Sequence, residues 1–162
     1  DGACSNNPGK SGSGLAVYKN SQEPVLLHGK YLERGTNNTA ELQALFKALQ
    51  IAANNKDNFN VTVYSDSKYS IDCISTWAYS WKSKNWTKKS GEIKNLEIIK
   101  EAHNLFDEIK DKITLKHVKA HAGIEGNELA DRMAMYTIKA KNDEFEEYNY
   151  KSIQEVLDFT RG

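Results

Sequence analysis

The chain has 162 residues, a formal net charge of zero and 39% hydrophobic residues, values that fit one globular domain with a full core and leave little room for two. No stretch is apolar enough to span a membrane. Two distant cysteines, Cys4 and Cys73, lack a CxxC pair, which argues against a disulfide or zinc framework and suits free thiols in an intracellular compartment.

Asp1 to Gly9 is polar and turn-rich, and a Gly/Ser run follows to Gly14. Strands are predicted over 15–18 and 25–32, with a turn near Asn20 and Ser21, as an antiparallel meander. A helix opens around Asn38, read as its N-cap, with Leu42, Leu45, Leu49, Ala52 and Ala53 on one face. Asn54 to Asp57 ends it. A short strand over 61–64 runs into Ser65-Asp66-Ser67, and a helical segment starts near Lys68. Residues 96–109 form a long helix with Ile98, Ala102, Leu105 and Ile109 inward. A strand follows over 113–118, then a loop with Gly123 and Gly126, permissive of tight turns. From Asn127 a helix carries Ala130, Met133, Ala134 and Thr137 on its inner face. Ser152-Ile153-Gln154-Glu155 is a capping box before Val156 and Leu157, so a last short helix is expected. This order predicts an α/β fold: a mixed sheet with helices packed on it.

The neutral total hides two opposite regions. From Trp81 to Lys94, five lysines (82, 84, 88, 89 and 94) face one acid, Glu92, whereas six acids face three bases from Lys141 to Gly162. Four acids stand near predicted element ends: Asp1, Glu41, Asp66 and Asp131. Parallel strands would bring such ends to one sheet edge, where α/β proteins place their sites. Converging carboxylates repel unless a cation neutralises them, and oxygen-only ligands suit Mg²⁺ or Mn²⁺ rather than zinc. Two such ions, ~3.5–4 Å apart, would clamp the attacking and leaving oxygens of a phosphodiester. His121 sits on the glycine loop beside helix-borne Asp131, an arrangement suited to acid–base chemistry. Plainer readings stand beside each of these. Glu41 could pair with an Asn38 cap, Asp66 could cap the next segment, and His121 and Asp131 could simply be solvated. His117 and His121 could suggest zinc, but no third ligand is spaced to complete it.

The pieces Asp1-Gly2-Ala3-Cys4 with Asn7-Pro8-Gly9, Thr36-Asn37-Asn38-x-x-Glu41-Leu42, Tyr64-Ser65-Asp66-Ser67, and His121-Ala122-Gly123 with Asn127-Glu128-x-x-Asp131 together resemble type 1 ribonuclease H. The resemblance spans about residues 1–140 and implies a five-stranded mixed sheet flanked by helices; the short C-terminal helical tail over 141–162 rests on the capping box alone. It implies an endonuclease that cuts the RNA strand of RNA–DNA hybrids, leaving 3′-hydroxyl and 5′-phosphate ends. It further implies that Asp1, Glu41, Asp66 and Asp131 hold two Mg²⁺ ions, with Mn²⁺ a substitute, and that His121 assists proton movement or product departure. By position, Cys4, Asn7 and Asn38 would line the RNA groove, where the 2′-hydroxyl marks the strand; a small buried thiol would be the ordinary alternative for Cys4. Residues 77–95 are similar to the family's basic protrusion, whose lysines attract phosphates regardless of sequence. Tyr69, Trp77 and Trp81 would line the DNA channel, and Arg34, Thr36 and Asn95 would grip a DNA phosphate. Trp77 and Trp81 also share one helix face and could instead be core.

The chain departs from that family in three places. Asp1 opens the sequence, whereas the family's first aspartate lies inside the first strand, so upstream residues are expected and an α-ammonium here would compete with Mg²⁺. Ala120 stands where glycine is common. The acidic tail has no assignable counterpart and is expected to pack away from the groove or to engage a partner. A monomer acting without sequence preference is the reading that results. Its rivals are a retroelement reverse transcriptase's ribonuclease H domain, a hybrid-binding module without catalysis, and a DNA-cleaving resolvase or transposase.

Overall fold

The computed structural model describes residues 1–20, 22–56 and 60–162, so Ser21 and Asp57 of the expected turns lie outside the described residues. Strand β1 (Gly2–Cys4) and β2 (Gly9–Val17) form an antiparallel hairpin, and β3 (Val25–Gly35) pairs with the far side of β2. The Gly/Ser run expected as loop is therefore strand. Ser11 and Ser13 are buried on it, and small side chains let a helix press close from above. A Cβ at Gly14 would lie 2.3 Å from the backbone nitrogen of Ala134 in α5 (Glu125–Ala140). On the other strand of the hairpin, a Cβ at Gly2 would lie 2.4 Å from the backbone nitrogen of Glu41 in α1 (Asn37–Ala53). Backbone thus meets backbone at both places.

Helix α1 is capped by Thr36, whose side chain accepts from the Thr39 amide, and not by Asn38, which lies inside the first turn. Threonine's extended backbone ahead of the helix makes it the better-placed acceptor. The next ladder joins β4 (Val61–Ser65) to β5 (Ile113–His117) in parallel. Between them run α2 (Lys68–Asp72), a π-helical turn (Cys73–Trp77), α3 (Ala78–Ser83) and α4 (Leu96–Ile109). Leu42, Leu45, Leu49, Val63, Ile74, Ile99 and Ala102 close the main core between these elements. In α4 the fully buried positions are Ile99, Ala102 and His103, while Ile98, Leu105 and Ile109 pack at the core's margin.

The mixed sheet with flanking helices is present, but its strands form two ladders. Among the described residues, β1 pairs with β2 while β4 pairs with β5, and a cavity of about 430 Å³ lined by Leu15–Val17 and Val61–Ser65 lies between them. The tail adds a sixth strand, β6 (Glu146–Glu147), to the edge of β3 and then helix α6 (Ile153–Leu157). Ser152 caps α6 by accepting from the Glu155 amide, as its capping box predicts. Val156 joins Leu26, Leu129 and Met133 in a second core, with Tyr136, Tyr148 and Phe159 around it. No helix among the described residues is long and apolar enough to cross a membrane.

Because Gly2 sets the distance from β1 to α1, Gly2→Ala should push Asp1 away from Glu41. Urea unfolding is expected to show a loss of about 1–3 kcal/mol, the usual cost of overpacking. Unchanged stability would mean that the strand can shift freely.

Candidate active site

Each acid reaches the site on a different element. Asp1 sits at the head of β1, where its nitrogen donates to the Gly14 carbonyl at 2.8 Å and its carbonyl accepts from Gly14 at 2.9 Å. The Asp1 backbone is thereby tied into the ladder with β2, and Asp1 Oδ1 accepts from the Gly2 amide at 2.7 Å. Glu41 lies beyond the first turn of α1, too far along to pair with the cap at Thr36. Asp66 follows β4, and Ser67, not Asp66, caps α2. The plainer capping roles for Glu41 and Asp66 are therefore filled by other residues.

Asp1, Glu41 and Asp66 each offer an oxygen, and these atoms lie within 4.8 Å of one another. Asp131, 4% exposed on α5, lines the same pocket but stands outside that trio. Its Oδ2 accepts from Arg132 Nη1 at 3.1 Å and from the Gly162 amide at 3.0 Å. Burial pushes the Glu41 carboxyl up to about 7; Asp66 and Asp131 push the same way, against the pull of the Gly2 amide. Among the described residues, Glu41 Oε2 is buried without a hydrogen-bond partner. An orphaned carboxylate oxygen beside two further carboxylates is a donor set made for a hard divalent cation. The residues fit the group.

His121 is exposed in the loop after β5, at a φ of 54°, and lines the pocket. Cys4 and Asn38 line it as well. Cys4 is only half-buried, its thiol 3.5 Å from the Gly35 carbonyl, so the buried-thiol alternative does not hold. Asn7 Oδ1 accepts from the Asn37 amide at 3.2 Å and so ties the turn after β1 to the start of α1. Thr36, Thr39 and Asn95 form a hydroxyl–amide chain of 2.9 and 2.7 Å, which joins two of the three expected phosphate-gripping residues. Arg34 is exposed just before them. Tyr69, Trp77 and Trp81 form an aromatic row with centroids 6.3 and 6.1 Å apart. Trp77 is exposed at 42%, whereas Trp81 rests partly on the main core. The lysines at 82, 84, 88, 89 and 94 are all exposed.

Several hydrogen bonds at the site have no counterpart in the sequence reading. Asn127 Nδ2 donates to Asp66 Oδ2 at 3.1 Å, and His117 Nε2 donates to the Asp66 carbonyl at 3.2 Å. Asn127 is visible inside the motif that ends at Asp131. His117, unsuited to zinc for want of a third ligand, instead steadies the turn that carries Asp66. Arg161 and Gly162 of the tail also line the pocket, so the acidic tail does not pack wholly away from the site. Nothing local in the sequence signals that approach.

An α/β protein with carboxylates gathered where two strand ladders meet two helices belongs to the ribonuclease H-like architecture. The ribonuclease H profile matches residues 1–139. A ribonuclease H of Rhizobium etli is 40% identical over 138 residues, covering 83% of this chain and 85% of the relative. Among solved structures, LC9-RNase H1, a type 1 RNase H with the type 2 active-site motif, superposes with a TM-score of 0.71 at 21% identity, over 96% of this chain and 76% of its own. LC11-RNase H1 in complex with an RNA/DNA hybrid gives a TM-score of 0.61 at 21% identity, over 87% and 94%. The chain belongs to the ribonuclease H family.

The Glu41 shift makes stability depend on pH. The folded carboxyl holds its proton to about pH 7, whereas an unperturbed one releases it at 4.5. The stability this group contributes is full below that lower value and is lost as pH rises to about 7. Melting temperature followed from about pH 5 to about pH 8 without divalent ions should therefore fall less in Glu41→Gln than in the parent chain. Equal slopes would contradict the burial account.

Proposed function

We propose that the chain is a divalent-metal-dependent endonuclease that hydrolyses the RNA strand of RNA–DNA hybrids. The observation that carries the reading is the meeting of Asp1, Glu41 and Asp66 within 4.8 Å, in a pocket that also holds Asp131, His121, Cys4 and Asn38. Membership of the ribonuclease H family supports it, as does the fold shared with LC11-RNase H1, which was solved on an RNA/DNA hybrid.

In this reading Asp1, Glu41, Asp66 and Asp131 hold two Mg²⁺ ions. When bound, the pair supplies charge neutralisation and a clamp on the attacking and leaving oxygens of the phosphodiester. The rest is done by the chain. Asn127 keeps the Asp66 carboxylate turned inward through its 3.1 Å hydrogen bond. A water oxygen forms a new bond to phosphorus as the bond to the 3′-oxygen breaks, leaving a 3′-hydroxyl and a 5′-phosphate. His121, exposed at the pocket's mouth, moves the water's proton or helps the product leave. Cys4, Asn7 and Asn38 line the side where an RNA strand offers 2′-hydroxyls, the one group that distinguishes it from DNA. The Tyr69–Trp77–Trp81 row meets the DNA strand, Thr36, Asn95 and Arg34 take one of its phosphates, and the exposed lysines of 82–94 add sequence-blind attraction. The enzyme acts as a monomer inside the cell.

Labelled RNA–DNA hybrid, RNA duplex and DNA duplex, each incubated with Mg²⁺, test the reading. Only the hybrid should be cut, and Asp66→Asn should lower the rate by roughly a thousandfold, the scale of removing one electrostatic stabiliser of the transition state. Cleavage of DNA duplex, or full activity in the variant, would sink the proposal. Joint replacement of Lys88 and Lys89 by Ala should flatten the salt dependence of hybrid binding by roughly one unit of slope for each phosphate left without its lysine.

A further inference from the structure

The family profile ends at residue 139, yet the last residues of the tail reach the site. Helix α6 and Phe159 pack on α5 through the second core. Arg132, 5% exposed, donates from Nε and Nη2 to the Leu157 carbonyl at 3.4 and 3.3 Å. The chain then turns toward the carboxylates. Arg161 Nη2 meets Glu128 Oε1 at 2.8 Å, and the Gly162 amide donates to Asp131 at 3.0 Å (Oδ2) and 3.2 Å (Oδ1). Arg132 Nη1 takes Oδ2 as well, at 3.1 Å. Both oxygens of Asp131 are therefore engaged by N–H donors, three residues along α5 from the Glu128 that anchors Arg161. Asp131 is the carboxylate that stands outside the Asp1–Glu41–Asp66 trio.

We propose that Arg161 and Gly162 are positioning residues that latch Asp131 to the tail, so that the tail and a divalent cation compete for the Asp131 carboxylate. An N–H donor and a hard cation seek the same lone pairs, and of the roughly four on this carboxylate the Arg132 and Gly162 contacts occupy three, so a cation competes with those donors for all but one of the sites. Linkage makes the competition reciprocal: the factor by which the docked tail weakens cation binding is the factor by which the cation loosens the tail. Arg161 sets where the tail lands, and the Gly162 amide is the competing group. The fit is close, because a Cβ at residue 162 would lie 2.7 Å from Asp131 Oδ1. The latch rests on the reading of Asp131 as a cation ligand.

Mg²⁺ titration of the full chain, by calorimetry and by the ¹⁵N–¹H resonance of Gly162, tests it without substrate. The Gly162 resonance should move as Mg²⁺ is added and saturate with the calorimetric affinity. Gly162→Pro, which removes the donor and whose Cβ cannot keep the docked position against Asp131, and Arg161→Ala should each bind Mg²⁺ more tightly, by roughly tenfold for the donor, the scale of one hydrogen bond to a charged group. The aromatic packing of Phe159 should be kept in both, as its side-chain resonances would show. Parent and Gly162→Pro chains that bind Mg²⁺ equally, with a Gly162 resonance that does not move, would overturn the latch while leaving the site intact. An Asp131→Asn chain that binds Mg²⁺ as the parent does would remove the ligand reading itself, and the latch with it.

Discussion

Negative charges do not gather by themselves, and the repulsion among Asp1, Glu41 and Asp66 is the constraint around which the site is built. Their oxygens converge within 4.8 Å, and the interior cost falls on Glu41, whose proton is held up to about pH 7 by burial. The protein can sustain the arrangement because each carboxylate is carried by backbone that has nowhere to go. Asp1 is locked into the ladder with Gly14, and Asp66 is steadied by Asn127 and the His117 ring. Glu41 rides on a helix pressed directly against β1. A cation entering such a site finds ligands already assembled, so little of its binding energy is spent on ordering them.

The two ladders divide the work. The β1–β2–β3 hairpin system supplies Asp1 and, at its far edge, receives the tail through β6. The parallel β4–β5 pair ends its strands together, which brings Asp66 and the His121 loop to the same edge. Helix α1 packs on both ladders and adds Glu41, while α5 packs on the β1–β2–β3 ladder and adds Asp131. The charge division visible along the sequence has a spatial counterpart. The exposed lysines run from the last turn of α3 onward, while the acids Glu146 and Glu147 lie on the sheet edge beside β3.

Much of this is legible in the sequence because the informative residues are local. Helix α4 reads with its observed bounds, since its apolar positions recur at helical spacing; the start of α2 and the capping box of α6 are equally plain. The motifs around Asp1, Glu41, Asp66 and Asp131 can be read without coordinates because each is a short run. What escapes depends on distant partners. Strand β2 begins at Gly9 because neighbouring strands and the backbone of α5 need small residues there, and composition alone reads such a run as loop. The cap at Thr36 rather than Asn38 is a choice between two good acceptors decided by backbone geometry. The π-helical turn that ends at Trp77, strand β6 and the Gly162–Asp131 hydrogen bond have no periodic signature at all. Each is set by tertiary packing.

We propose that these carboxylates hold paired divalent cations. Anomalous diffraction from crystals of the chain equilibrated with Mn²⁺ addresses it most directly. Two peaks about 3.5–4 Å apart are expected, bounded by Asp1, Glu41, Asp66 and Asp131. Peaks confined to other surfaces, or none among these four residues at saturating Mn²⁺, would contradict it.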